Sequence, residues 1–181
     1  MPPADDLLPG LESLLFSEHE VQDKVHELAQ QIRADYHGRN PLLVGLLKGS
    51  FMFLADLARE LAFDSEIDFM LVSTYGNGQE ATEVKILQDL TTPIQGKDVL
   101  IVEDIIDTGV TLKKVCELLA QRQPASLKIC TLLNKPSRRL VDLKVDYCGF
   151  AIEDMFVAGY GIDFAQRFRC LPYVAVAKKP G

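Results

Sequence analysis

The stretch 98–111, Asp-Val-Leu-Ile-Val-Glu-Asp-Ile-Ile-Asp-Thr-Gly-Val-Thr, constrains the fold of this chain more than any other. Residues 99–102 form a continuous apolar run of the kind that marks a strand buried on both faces. Glu103 and Asp104 end the run, and after two more apolar residues Asp107-Thr108-Gly109-Val110-Thr111 opens a helical pattern. A strand that turns into a helix exposes backbone N–H groups without intrahelical partners, and these favour an anion. Gly109 removes the Cβ that would keep a phosphate at a distance. One segment therefore offers a phosphate cradle with carboxylates beside it. Carboxylates repel phosphate unless a cation lies between, and magnesium shares oxygen ligands with phosphate. The simpler reading of the same residues is a buried strand, an acidic turn and a helix capped by Asp107 or Thr108.

The flanking sequence alternates helix and strand patterns. Ser17 and Glu20 make a capping box ahead of a helix over 18–36, with Val21, Val25, Leu28 and Ile32 on one face. Strands are predicted at 42–47, 67–73, 84–87, 127–133, 145–151 and 173–177, and further helices at 50–62 and 109–121. Residues 74–83 are polar and glycine-bearing, and read as an exposed mobile loop. This order predicts an α/β fold, a central parallel sheet flanked by helices, in one domain over residues 1–181. Such sheets bind ligands beyond the carboxyl ends of their strands. Lys48, Ser73, Glu103, Asp104 and Lys135 all fall at or just past predicted strand ends.

Composition narrows the function. The 181 residues carry a net charge of −7, which argues against a chain built mainly to bind nucleic acid. A polyanionic substrate then needs a local basic patch or a metal. The four cysteines form no Cys-x-x-Cys pair and match no zinc spacing, no secretory signal opens the chain, and no apolar run is long enough for a membrane. The expectation is a cytosolic protein with reduced thiols and no membrane partner. His19, His26 and His37 lie in or near the first helix and read as solvated surface.

The wording of 102–109 resembles the phosphoribosyl-pyrophosphate motif of the type I phosphoribosyltransferases, and the hypoxanthine-guanine phosphoribosyltransferases in particular. Other matching segments lie between Leu46 and Arg169: Leu47-Lys48-Gly49, Leu133-Asn134-Lys135-Pro136, and Met155 through Asp163. The resemblance implies a small hood built from the chain ends, and transfer of a phosphoribosyl group to N9 of hypoxanthine or guanine in purine salvage. The products are IMP or GMP and pyrophosphate, with Mg2+ as cofactor. It also implies a homodimer or homotetramer.

Residue by residue, the resemblance assigns Lys48, Gly49 and Arg169 to the pyrophosphate, with the peptide before Lys48 able to adopt a cis form. Residues Asp107, Thr108, Gly109, Val110 and Thr111 hold the 5′-phosphate, and Asp107 is also the general base for the purine N7 proton. Glu103 and Asp104 anchor the ribose hydroxyls, directly or through magnesium, and Asp163 binds a second metal. Lys135 faces the purine O6, Phe156 stacks on the ring, Val157 presents backbone groups to the base edge and Ile162 supplies an apolar wall. Ser73 and Tyr75 make contacts when the loop closes. Taken without the resemblance, Lys48, Lys135 and Arg169 also read as surface cations, and Phe156 and Val157 as strand core.

Two positions depart from the pattern. Ala81-Thr82-Glu83 stands where bacterial members often carry Ser-Ser-Gly, and Val110 stands where some members have lysine. Two other classes share parts of the pattern. A nucleic-acid-binding regulator on the same fold would want a basic face. A phosphotransfer receiver would not follow its aspartate with Thr-Gly-Val-Thr.

Overall fold

The computed structural model describes residues 7–75 and 83–178. Twelve regular elements plus a short 3-10 turn follow in chain order: β1 (Leu11–Phe16), α1 (Glu18–Asp35), β2 (Leu42–Leu47), α2 (Phe51–Leu61), β3 (Ile67–Tyr75), β4 (Glu83–Gln88), β5 (Asp98–Ile106), α3 (Val110–Ala120), β6 (Ser126–Asn134), the turn Pro136–Arg138, β7 (Tyr147–Ala151), β8 (Val157–Ala158) and β9 (Val174–Ala177).

Six strands form one sheet in the order β4-β3-β2-β5-β6-β7, parallel except for the antiparallel edge strand β4. The period of two along each strand divides its side chains between two cores. Leu43, Leu100, Val102, Cys130 and Leu132 face α1 and α2, packing with Val21, Val25, Leu28, Phe53 and Leu57. Leu42, Val44, Leu46, Val99, Ile101 and Ile129 face α3, packing with Leu112, Val115 and Leu119. Burial on both faces explains why β2 and residues 99–102 of β5 carry no polar side chain.

The predicted elements appear with shifted ends. Strand β5 runs on through Glu103 and Asp104 to Ile106, because Ile105 and Ile106 still pair with Leu133 and Asn134 of β6. The N-cap of α3 is Gly109 at φ 79, with no side-chain cap bond, so neither Asp107 nor Thr108 caps that helix. The capping box of α1 is present: the Glu20 amide donates to Ser17 Oγ at 3.3 Å, and the Ser17 amide to Glu20 Oε2 at 2.8 Å.

The chain ends build a second, three-stranded sheet in the order β1-β9-β8, the expected hood. Strand β1 carries no alternating pattern and was not legible as a strand. It is one because it pairs antiparallel with β9, with register shifts at Leu11/Ser13 and Leu14/Phe16. Leu11, Ala158, Tyr173, Ala175 and Ala177 form the hood's own small core. Most of the predicted mobile loop, residues 76–82, lies outside the described residues, as do the side chains of 74–75 and 83, so the readings of Tyr75 and of Ala81-Thr82-Glu83 have no structural counterpart here.

Candidate active site

The carboxyl ends of β2, β5 and β6 and the hood segment after β7 enclose one crevice. Beyond β2, the Leu47–Lys48 peptide is cis, and Lys48 is exposed. Ser50, fully buried, donates its hydroxyl to Leu46 O at 2.7 Å and so ties the turn back to its strand. Gly49 allows two close approaches. A Cβ there would collide with the carboxylate of Asp104, and the Gly49 carbonyl lies where a Cβ on Gly161 would go. Glycine at both positions lets the turn meet the hood backbone to backbone and lets the Asp104 carboxylate of β5 lie against the turn.

Beyond β5 a cavity of ≈ 160 Å³ is lined by Glu103, Ile105, Ile106, Asp107, Thr108, Gly109, Thr111 and Leu112. The first turn of α3, whose N–H groups lack intrahelical partners, forms one wall. Thr108 Oγ1 takes the Val110 amide at a long 3.4 Å, and Thr108 O takes the Leu140 amide at 3.0 Å. Val110 is not among the lining residues, which suits a loop that offers backbone and hydroxyl groups rather than a lysine.

Glu103 and Asp104 do not share this cavity. As successive strand residues their side chains leave the sheet on opposite faces. Glu103 lines the α3-side cavity, whereas Asp104 lies against Gly49 on the side of α2. Burial, reinforced by Asp104, pushes the Glu103 carboxyl well above the usual range. Burial pushes Asp104 up to about 6; nearby Asp163 adds to the rise and Arg169 opposes it. The expected ligand set Glu103, Asp104 and Asp163 is therefore not one cluster, and among the described residues no three His, Cys, Asp or Glu side chains converge as a metal site. Asp104 and Asp163 remain on one side of the sheet, under the same guanidinium.

Arg169 reaches Gly161 O with Nη1 at 2.7 Å and pairs through Nη2 with Asp163, whose other oxygen accepts the Gln166 amide at 2.9 Å. In this state the Arg169 fork is held by the hood.

Beyond β6, Lys135 is 6 % exposed despite its charge. Its Nζ lies 4.0 Å from Asp107 and 3.9 Å from Asp154. Arg138, on the turn that follows, makes the same bridge, with Nε 3.1 Å from Asp107 and Nη1 3.7 Å from Asp154. The result is a ring of two cations and two carboxylates on the crevice rim. No local pattern singles out Arg138 or Asp154; the adjacent pair Arg138-Arg139 after Pro136 is the available signal.

Phe156 is 51 % exposed, with its ring edge-on to Phe164 at 6.3 Å between centroids. An exposed aromatic ring fixed by a neighbour suits stacking on a flat ligand. Val157 and Ile162 are each 6 % exposed and pack in the core beneath α1 and α2. The Ile162 side chain is thus a core residue, and the expected apolar wall is reduced to its backbone position beside Gly161. Ser73 ends inside β3, and its hydroxyl is buried without a partner among the described residues.

Known proteins resemble this chain along most of its length. Residues 14–165 match the family model of the phosphoribosyl transferase domain. A hypoxanthine phosphoribosyltransferase from Salmonella typhimurium is 57% identical over 164 residues, covering 89% of this chain and 92% of that protein. A hypoxanthine-guanine phosphoribosyltransferase from Bacillus subtilis is 48% identical over 169 residues, covering 93% and 94%. The crystal structure of a hypoxanthine-guanine phosphoribosyltransferase from Bacillus anthracis superposes with a TM-score of 0.90 at 47% identity, covering 93% of this chain and 99% of that one.

Proposed function

Because the chain belongs to the phosphoribosyl transferase family, and within it to the hypoxanthine-guanine phosphoribosyltransferases, we propose that this crevice moves the phosphoribosyl group of phosphoribosyl pyrophosphate onto N9 of hypoxanthine or guanine. The observation that carries the reading is the meeting of Asp107 and Lys135, 4.0 Å apart at the ends of neighbouring parallel strands, on the rim of the α3-side cavity. One group suits a purine N7–H, the other its O6. The phosphate cradle that fixes the sugar begins at the same aspartate.

The residues divide the work as the chemistry demands. The N9–C1′ bond forms, the bond from C1′ to pyrophosphate breaks with its electron pair on the leaving oxygen, and the N7 proton passes to the Asp107 carboxylate. Residues 107–111 hold the 5′-phosphate and so place C1′. Glu103 reaches the sugar from the α3 side and Asp104 from the α2 side. Lys48, the Gly49 backbone and Arg169 face the leaving group and stabilise its developing charge. For Arg169 this requires exchanging its present partner Asp163 for phosphate oxygen. Lys135 polarises O6, and Phe156 stacks on the ring.

Asp104 and Asp163 are hard oxygen donors, partly buried, and suit magnesium, which keeps several waters and takes one or two carboxylates with substrate phosphates. Bound there with the diphosphate, the ion would neutralise leaving-group charge. A spectrophotometric assay with hypoxanthine, guanine or xanthine, phosphoribosyl pyrophosphate and magnesium tests the reading. Nucleotide formation from the first two is expected. Failure to form either nucleotide overturns the reading, and undiminished turnover in excess chelator removes magnesium from it.

A further inference from the structure

Tyr160 sits in the turn between β8 and the segment that carries Asp163 and Arg169. Its φ is 49°, a left-handed conformation that a large side chain keeps only when its surroundings hold it there. The ring is 4 % exposed. Its amide donates to Leu171 O at 2.8 Å, and its hydroxyl crosses from the hood to α2, donating to Asp56 Oδ2 at 2.5 Å. Asp56 is itself set for this bond: Arg59 pairs with its Oδ1, and Gln22 of α1 donates to Oδ2 at 3.3 Å. None of these groups belongs to the chemistry described above.

The residue after Tyr160 is Gly161, which rests on the Gly49 carbonyl and whose own carbonyl orients Arg169 at 2.7 Å. Helix α2 begins directly after Gly49 and Ser50. The Tyr160–Asp56 bond therefore links α2 to the hood turn midway along one short path that runs from the Lys48–Gly49 turn to Arg169. We infer that Tyr160 and Asp56 are a positioning pair that sets Gly161 over Gly49 and Arg169 over the crevice, and so governs the grip on the pyrophosphate end of the substrate. The inference rests on the assignment of Lys48 and Gly49 to pyrophosphate.

The test is steady-state kinetics with both substrates varied, on Tyr160→Phe, Asp56→Ala, Asp56→Asn and the double variant Tyr160→Phe/Asp56→Ala, with Lys48→Ala as reference. Loss of a partly buried hydrogen bond to a charged group, transmitted in part to the substrate, should raise the KM for phosphoribosyl pyrophosphate about five- to tenfold in Tyr160→Phe and Asp56→Ala. The KM for the purine should change much less. Asp56→Asn keeps an acceptor oxygen and should recover most of the loss, and the double variant should be no worse than either single one. A pair that merely stabilised the fold would lower the melting temperature and leave both KM values alone. That result, with Lys48→Ala raising the KM as expected, overturns the inference. If Lys48→Ala leaves the KM unchanged, the pyrophosphate assignment fails and the inference falls with it.

Discussion

Arg138 Nε lies 3.1 Å from Oδ1 of Asp107, so the carboxylate proposed as general base is turned toward the 3-10 turn after β6 and away from the helix it precedes. Gly109, with no side-chain bond, occupies the cap of α3. The two roles that the sequence left open for Asp107, base or cap, are thereby separated. Asp107→Asn should lower kcat and kcat/KM together by ~10²–10⁴, the usual cost of a lost general base. Its melting temperature should hardly move, since a half-exposed ion pair contributes only about 0.2–1 kcal/mol. Steady-state kinetics beside a thermal melt checks both; near-normal kcat would return Asp107 to a structural role.

Lys135 is almost fully buried yet touches its two carboxylates only at 3.9 and 4.0 Å. A buried ammonium so loosely paired has room to take a further acceptor. Lys135→Ala should therefore raise the KM for the purine far more than that for phosphoribosyl pyrophosphate. Equal effects on the two would mean that the lysine supports the rim and does not read O6.

Asp68 in β3 offers a stability test remote from the chemistry. Burial pushes its carboxyl up, but the amides of Thr92, Phe69 and Thr91, each at 2.8 Å, and the Thr91 hydroxyl at 3.1 Å outweigh this and hold it below the ordinary carboxylate value. A folded-state value below the unfolded one means stabilisation that is present above about pH 3.9 and is lost as pH falls through the folded value. Asp68→Ala should cost about 2–4 kcal/mol near neutrality by leaving buried amides unpartnered, and its deficit should shrink as the wild type is acidified. Denaturant titrations at a series of pH values measure this; a deficit that is constant down to low pH would contradict it.

The sheet was legible because its strands are buried on both faces and its helices carry a single apolar stripe. The apolar runs 42–47 and 99–102 gave themselves away by composition alone. Strand β1 was not legible, since its pairing with β9 depends on the far end of the chain. At the site, the residues readable in advance were those whose backbone setting is local: Lys48, Gly49 and the loop 107–111 each sit at a strand–helix turn. What sequence order concealed was direction. Glu103 and Asp104 look like one acidic pair, but the period of a strand sends them to opposite sides of the sheet. Ile162 looks like a pocket wall, but its side chain fills the core, as does that of Val157, whose expected role is a backbone one. Arg138, Asp154 and the Tyr160–Asp56 bond arise from segments brought together only by folding, the last across 104 residues of chain.

The contact of Gly49 with Asp104 yields a final prediction, on the metal. A methyl group at position 49 would overlap the Asp104 carboxylate. Either the turn moves away from β5 or the carboxylate swings out of its place. Both responses disturb the oxygen donors proposed for magnesium and the backbone proposed for pyrophosphate, while the purine contacts proposed at Lys135 and Phe156 lie elsewhere, just after β6 and just before β8. Overpacking of this kind costs typically about 1–3 kcal/mol, so Gly49→Ala should still fold, with a lowered melting temperature. The magnesium concentration for half-maximal activity and the KM for phosphoribosyl pyrophosphate should both rise, with the purine KM nearly unchanged. Activity measured across a magnesium titration, for wild type and variant at saturating purine, separates the cases. A variant that is less stable but needs no more magnesium than the wild type would show that Asp104 packs against Gly49 without serving as a ligand.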